Sequence, residues 1–179
     1  GYRLHEVVGD GRTGRVYRAE RISDGLQVAF RQVKPGLARE SGVTEAVLDL
    51  VEATSNLRCV ALVPVVAAFE VEGAICVVEP WVDGRTLKDR CSDGKLPSDE
   101  VATLGIELLE GLGELHEAGL VHGDVSPANI MLTSRGGRLL NPGVAARTAR
   151  RRSARSMFGD PYDPPEVQSS GTVTASSDL

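Results

Sequence analysis

Apolar and polar residues alternate through the first part of the chain. Tyr2 to Val8, Arg15 to Glu20 and Gln27 to Val33 each carry the period of two expected of strands. A glycine-rich turn follows the first of these runs, and Asp24-Gly25 leads into the third. The period then changes: Val43, Val47, Leu50 and Val51 fall on one stripe and predict a helix over Val43–Glu52. Two further strands are expected at Leu62–Phe69 and Ala74–Val78, with Glu72-Gly73 as the turn between them. Together these make a five-stranded antiparallel sheet with one helix.

The second half reads differently. Ser98 is placed as the N-cap of a long helix carrying Val101, Leu104, Leu108, Leu112 and Leu115 on one face and ending near Gly119. Short strand-like pieces follow at Asn129–Leu132 and Arg138–Leu140, separated by Gly136-Gly137. From Asn141 onward there is no periodicity, only a run rich in Arg, Ser, Gly and Pro. The expected organisation is α+β, with a small β lobe and hinge over 1–82, a mainly helical lobe over 83–179, and a ligand in the cleft between them.

Composition narrows this without redirecting it. The chain has 179 residues, of which 41% are apolar and 25% charged, so a single domain with a packed core is expected and a disordered chain is not. Three cysteines without a CxxC pair indicate neither a disulfide framework nor a zinc site. No apolar run is long enough to cross a bilayer, so the expectation is a cytoplasmic protein or the cytoplasmic domain of a membrane protein. Net charge is −5, yet five Arg fall between Arg147 and Arg155. A short basic run in an acidic protein reads as a solvated loop, and no nucleic-acid partner is expected.

The first chemistry-bearing motif is Gly9-Asp10-Gly11-Arg12-Thr13-Gly14-Arg15-Val16, a GxGxxGxV set between two strands. Glycines there let backbone N–H groups close over phosphate oxygens with no Cβ in the way. A dinucleotide site needs a helix after the third glycine, and here a strand follows. An ordinary tight hairpin would also fit this motif alone.

The order of the remaining motifs resembles the eukaryotic-type Ser/Thr protein kinase family. Val28-Ala29-Phe30-Arg31 stands where the family has V-A-x-K, and Glu79 to Leu87 resembles the hinge. His122-Gly123-Asp124-Val125-Ser126-Pro127-Ala128-Asn129 lies at the H-R-D-L-K-P-x-N loop, Asn141-Pro142-Gly143 at D-F-G, and Asp160 to Glu166 at the segment ending A-P-E. The resemblance implies a kinase-like fold, a five-stranded amino-terminal lobe with one helix and a truncated, mainly helical carboxy-terminal lobe. It implies ATP contacts at Gly9, Gly11, Gly14, Val16, Ala29, Arg31, Glu79, Val82 and Met131, with Val78 as the gatekeeper and Glu79 and Val82 offering backbone to adenine. It implies Asp124 as the base, Asn129 with Asn141 as metal ligands, and Glu45 as the ion-pair partner of Arg31. The later helices of a kinase are not in this sequence, and a fragment of a longer protein is the expected explanation.

Departures from the pattern decide the expected function. Arg31 replaces the lysine that bridges phosphates, and a planar guanidinium is not equivalent to an ammonium there. Lys34 is nearby but points to the opposite face of a regular strand. Asn141 replaces the magnesium-chelating Asp with a neutral amide, Pro142 the packing Phe, Ser126 the catalytic-loop Lys, and Gly123 the Arg that grips a phosphorylated loop. Losing that charge and altering that cation removes several kcal/mol of transition-state stabilisation, about a thousandfold or more in rate. The expectation is therefore an impaired kinase or pseudokinase with residual ATP binding, Mg2+ being disfavoured by Asn141, and a regulatory or docking role toward a protein partner.

Two alternatives stay open. One is an active atypical Ser/Thr kinase acting on a protein substrate. The other is a small-molecule phosphotransferase of the aminoglycoside or choline kinase type, whose H-G-D-x-x-x-x-N loop resembles residues 122–129. Ser153 and Ser156, set among arginines, are expected phosphorylation sites. His122 is read as a packed structural residue rather than a general base, and His5 and His116 as ordinary residues.

Overall fold

A computed structural model of the chain describes residues 1–39, 42–148, 161–170 and 173–179. The chain divides into two compact units, residues 1–56 with 64–82 and residues 57–63 with 83–179.

The first unit is an antiparallel sheet in the order β1-β2-β3-β5-β4, formed by β1 (Tyr2–Asp10), β2 (Gly14–Arg21), β3 (Gln27–Val33), β4 (Ala67–Val71) and β5 (Ala74–Pro80). Alternation places Ala19, Val28, Phe30, Cys76 and Val78 in one buried cluster, covered by Tyr2, Tyr17, Ala67 and Phe69. Tyr2 stacks on Phe69 at 5.7 Å, and both rings meet Phe30. Glu72 and Gly73 both adopt positive φ, which matches the right-handed strand twist in the two-residue turn expected there.

The single helix expected over Val43–Glu52 is two short ones, α2 (Val43–Leu48) and α3 (Leu50–Ser55), preceded by the one-turn α1 (Pro35–Ala38). Asp49 joins them with helical backbone angles. Its N–H bonds to the Glu45 carbonyl and its carbonyl accepts from Ala53, so the predicted stripe survives with Val43, Val47 and Leu50 fully buried. The strand expected over Leu62–Phe69 starts only at Ala67. Pro64 has no N–H for a ladder, and the apolar run splits there. Thr54 receives the Val65 N–H in the first unit, while Leu62 bridges Leu139 in the second.

The second unit is built on α5 (Ser98–Glu117). Its N-cap position is held by Pro97, not Ser98, and Ser98 opens the first turn. It ends as expected: Gly119 has φ +72°, and the Leu120 N–H returns to the Leu115 carbonyl. Gly111, Leu112 and Leu115 are buried, whereas Val101, expected on the same face, is exposed along with Ile106 and Leu109. A three-stranded sheet joins β6 (Arg85–Thr86), β7 (Ile130–Thr133) and β8 (Gly136–Leu139).

Besides α1, three further short helices were not anticipated. α4 (Leu87–Ser92) is capped by Thr86, whose hydroxyl accepts the Asp89 N–H, and α6 (Val144–Thr148) and α7 (Pro165–Ser170) lie in the stretch read as aperiodic. Among the described residues no helix is long and apolar enough to cross a membrane.

Candidate functional site

The site residues fall into two groups, one in each unit. In the first unit the glycine-rich turn joins β1 to β2. A Cβ on Gly14 would lie 2.2 Å from the Gln32 carbonyl oxygen, so this glycine is required by the close passage of β3. A Cβ on Gly9 or Gly11 would meet nothing closer than 4.0 Å, so no packing demands a glycine there, and the Gly11 N–H is bonded to the Gly14 carbonyl at 3.0 Å. Thr13, which sequence reasoning passed over, is buried within the turn and accepts a 2.8 Å hydrogen bond from the buried Arg31 guanidinium. The β3 cation is thus tied to the turn itself. A hydroxyl two residues after the second glycine was the available signal.

Register fixes which side chains share a face. Val16 lies opposite Arg31 across β2–β3, while Val77 and Glu79 lie opposite Arg31 and Ala29 across β3–β5. Val16, Ala29, Arg31, Val77 and Glu79 therefore project from the same side of the sheet. Val78 projects from the other, into the Phe30 cluster. This corrects the gatekeeper: the side chain on the face of Arg31 at the end of β5 belongs to Glu79. The first and third residues after it are Pro80 and Val82. Pro80 offers a carbonyl but no N–H.

Glu45 is exposed in the first turn of α2, and among the described residues no ion pair joins it to Arg31. Lys34 is also exposed, past the end of β3, with its N–H on the Thr13 carbonyl.

In the second unit the loop from His122 to Asn129 is held from three sides. Burial pushes the His122 imidazole below its ordinary range, so it is neutral. Its Nε2–H donates to the Leu140 carbonyl at 2.8 Å, and Nδ1 accepts the Asp124 N–H at 3.1 Å. Both ring nitrogens are spent on backbone, which excludes His122 as a general base. Asp178 is the residue that the motif reading did not assign to the site. Its two oxygens accept the N–H groups of His122 and Gly123, each at 2.8 Å, and His116 Nε2 lies 2.8 Å from Oδ2. Nothing in local spacing links positions 122 and 178.

Gly123 has φ +77°, and a Cβ there would meet the Ala146 nitrogen at 2.8 Å. The arginine of the kinase pattern has no room beside α6 in this arrangement. Asp124 lines a small depression with Tyr162, Asp163 and Pro164. Met131 is half-buried in β7, opposite Arg138.

The two expected metal ligands are brought together, but onto each other. Asn141 Nδ2 donates to Asn129 Oδ1 at 2.9 Å, and Asn129 Nδ2 donates to the Asp124 carbonyl at 2.8 Å. Asn141 is buried with φ +63°, a conformation Asn tolerates better than most residues. Magnesium is a hard cation that favours carboxylate oxygen; two neutral amides bonded to one another do not fit it. Ser153 and Ser156 lie outside the described residues.

A sheet carrying a glycine turn beside a buried strand cation, and a histidine–aspartate loop braced from a distant carboxylate, define a domain of the kinase type. Comparison with known proteins agrees: the protein kinase domain matches residues 2–179, and the chain belongs to the eukaryotic-type Ser/Thr protein kinase family. It is 31% identical to human myosin light chain kinase 3 over 181 aligned residues, covering 98% of this chain and 22% of that protein. It is 30% identical to the Ser/Thr protein kinase pkn2 of Myxococcus xanthus over 148 residues, covering 80% of this chain and 18% of that one. The crystal structure of the Mycobacterium tuberculosis PknI kinase domain superposes with a TM-score of 0.79 at 25% identity, over 99% of this chain and 69% of that one. The chain thus spans about a fifth of these two curated relatives.

Proposed function

We propose that this chain is a catalytically impaired Ser/Thr protein-kinase domain that binds ATP without magnesium and serves as a regulatory or docking module for a protein partner. The observation that carries this reading is the Asn129–Asn141 amide pair, which joins the two metal-ligand positions by a hydrogen bond instead of leaving two oxygens for a cation. A glycine turn uncrowded at Gly9 and Gly11, and the face shared by Val16, Ala29 and Arg31, support retained nucleotide binding. Pro80 and Val82 supply the backbone for adenine in this reading. Asp124 stays in place as the residue that would receive a substrate proton, without the metal that would make the transfer fast. The Pro164-Pro165-Glu166 segment, with the Glu166 carboxylate accepting from Ser177 at 2.7 Å, favours a protein kinase ancestry over a small-molecule phosphotransferase. A cytoplasmic location, and phosphorylation of Ser153 or Ser156 by another kinase, belong to the same proposal.

The test is the thermal midpoint of the full-length protein against ATP, with magnesium and with EDTA. A ligand that binds only the folded state raises stability by RT ln(1 + [L]/Kd). The expected result is the same rise in both conditions. A rise only with magnesium would overturn the impaired reading in favour of an active atypical kinase, and no rise at millimolar ATP would leave a protein-binding module alone.

A further inference from the structure

A groove of about 330 Å³ opens on the second unit between α5 and the β7–β8 hairpin, and it shares no residue with the loop from His122 to Asn129. It is lined by the half-buried Leu96, Leu104 and Leu132 and by three carboxylates, Asp99, Glu100 and Glu107. Lys95 and Arg135 adjoin lining residues in sequence without lining the groove themselves. Its two walls are tied together. Glu107 Oε2 accepts the Gly137 N–H at 2.7 Å, joining the helix to the start of β8. A Cβ on Gly136 would collide with the Glu107 carboxylate, and one on Gly137 with the Leu104 side chain, so the glycine pair is what lets the hairpin close on α5. The groove is therefore preformed and needs little ordering to take a ligand. Asp99 and Glu100 suit the first turn of any helix, so acidity alone would single out nothing. What does so is the concave surface they share with three leucines whose side chains are only half covered. Among the described residues no ion pair engages Asp99, Glu100 or Glu107, although Asp10, Asp24 and Asp93 each hold an arginine.

We propose that this groove docks a segment of a protein partner in which arginines or lysines lie a few residues from a bulky apolar side chain. The apolar side chain enters among the leucines, where its burial supplies affinity. The cations meet the carboxylates through charge-assisted hydrogen bonds, which fix direction and register. The same carboxylates repel phosphate, which turns nucleic acid and anionic lipid away. The volume lies at the lower end of ligand pockets and suits side chains better than a nucleotide. This gives the docking role proposed above a surface and a partner chemistry. It rests on that role alone, not on nucleotide binding or on impaired catalysis.

Fluorescein-labelled Arg-Arg-Ala-Leu-Ala-Leu is titrated with the full-length protein and read by anisotropy, beside Glu-Glu-Ala-Leu-Ala-Leu and Arg-Arg-Ala-Ser-Ala-Ser. The first peptide is expected to bind at least about tenfold tighter than either of the others. Its binding is expected to weaken severalfold as salt rises from about 0.05 M to about 0.5 M. Asp99→Asn with Glu100→Gln removes two exposed charges and is expected to weaken the first peptide about tenfold. The thermal midpoint of that variant is expected to move by under about 3 °C, which separates lost docking from lost folding. Leu96→Ser is expected to weaken the first peptide by a similar factor of about ten. Equal binding of the acidic peptide or of the serine peptide would overturn the assigned partner chemistry. Binding undiminished in the variants would put the peptide elsewhere and overturn the groove. Failure of the first peptide to bind at millimolar concentration would overturn the groove while leaving the ATP result standing. A midpoint rise that needs magnesium would overturn the impaired reading while leaving the peptide result standing.

Discussion

The glycine turn of the first unit and the catalytic loop of the second have fared differently under substitution. In the turn, the glycines of the family pattern are all present: Gly9 and Gly11 are uncrowded, and Gly14 is needed by the packing of β3. In the loop, the bracing is complete, with His122 and Asp178 tying four backbone groups, yet Asn141, bonded to Asn129, puts an amide where the family pattern has the charged metal ligand. Scaffolding and chemistry are separable in this fold. A loop can hold its shape with full precision after the groups it was shaped to present have changed.

That contrast can be broken most forcefully at Asp178. Asp178→Ala strands the N–H groups of His122 and Gly123 and the ring of His116 at a fully buried position. The expected cost is about 3–5 kcal/mol, read as a fall in the urea midpoint of the full-length protein. A loss under about 1 kcal/mol would show that the loop does not depend on this brace.

Within the turn, Gly14→Ala and Gly9→Ala sharpen the division between packing and ligand roles. The first pushes a methyl onto the Gln32 carbonyl and is expected to cost about 2–3 kcal/mol. The second is expected to stay within about 0.5 kcal/mol while weakening ATP binding. Equal destabilisation by both would erase the distinction.

The smallest effect concerns pH. Burial holds His122 neutral in the fold, so its folded pKa lies below the unfolded value of about 6.5. Above that value neither state binds the proton and the contribution is fully present. As pH falls through it, the unfolded chain takes up a proton that the folded chain refuses, and stability declines by at most about 1.4 kcal/mol per pH unit. Urea midpoints at pH 7.5, 6.5 and 5.5 should be flat over the first interval and fall over the second; a midpoint that rises on acidification would contradict a buried neutral imidazole.

Most of the sheet could be read from alternation, because β2, β3 and β5 each bury one face against the Phe30 cluster, while β1, otherwise largely exposed, reaches it through Tyr2. The glycine motif and the His122 loop could be read because their residues are close in sequence. What could not be read depended on contacts across the chain. Pro64 interrupts the apolar run of 62–69, but only tertiary packing sends Leu62 to one unit and Val65 to the other. The identity of the gatekeeper turned on strand parity: a motif alignment shifted by one residue exchanges Val78 for Glu79, and only the pairing of Ala29 with Glu79 decides between them. The short helix at Val144–Thr148 buries three residues without any periodicity long enough to announce it.

Gly123 carries a historical consequence. The backbone of Ala146 comes so close that any side chain at position 123, however small, collides with it. Regaining the arginine of the active pattern is therefore not one step for this protein. The helix over Val144–Thr148 must first leave, and leaving exposes Val144, Ala145 and Thr148, now buried. Each of the two changes is harmful without the other. The glycine and the helix lock one another in, and the way back to the active pattern is closed to single substitutions.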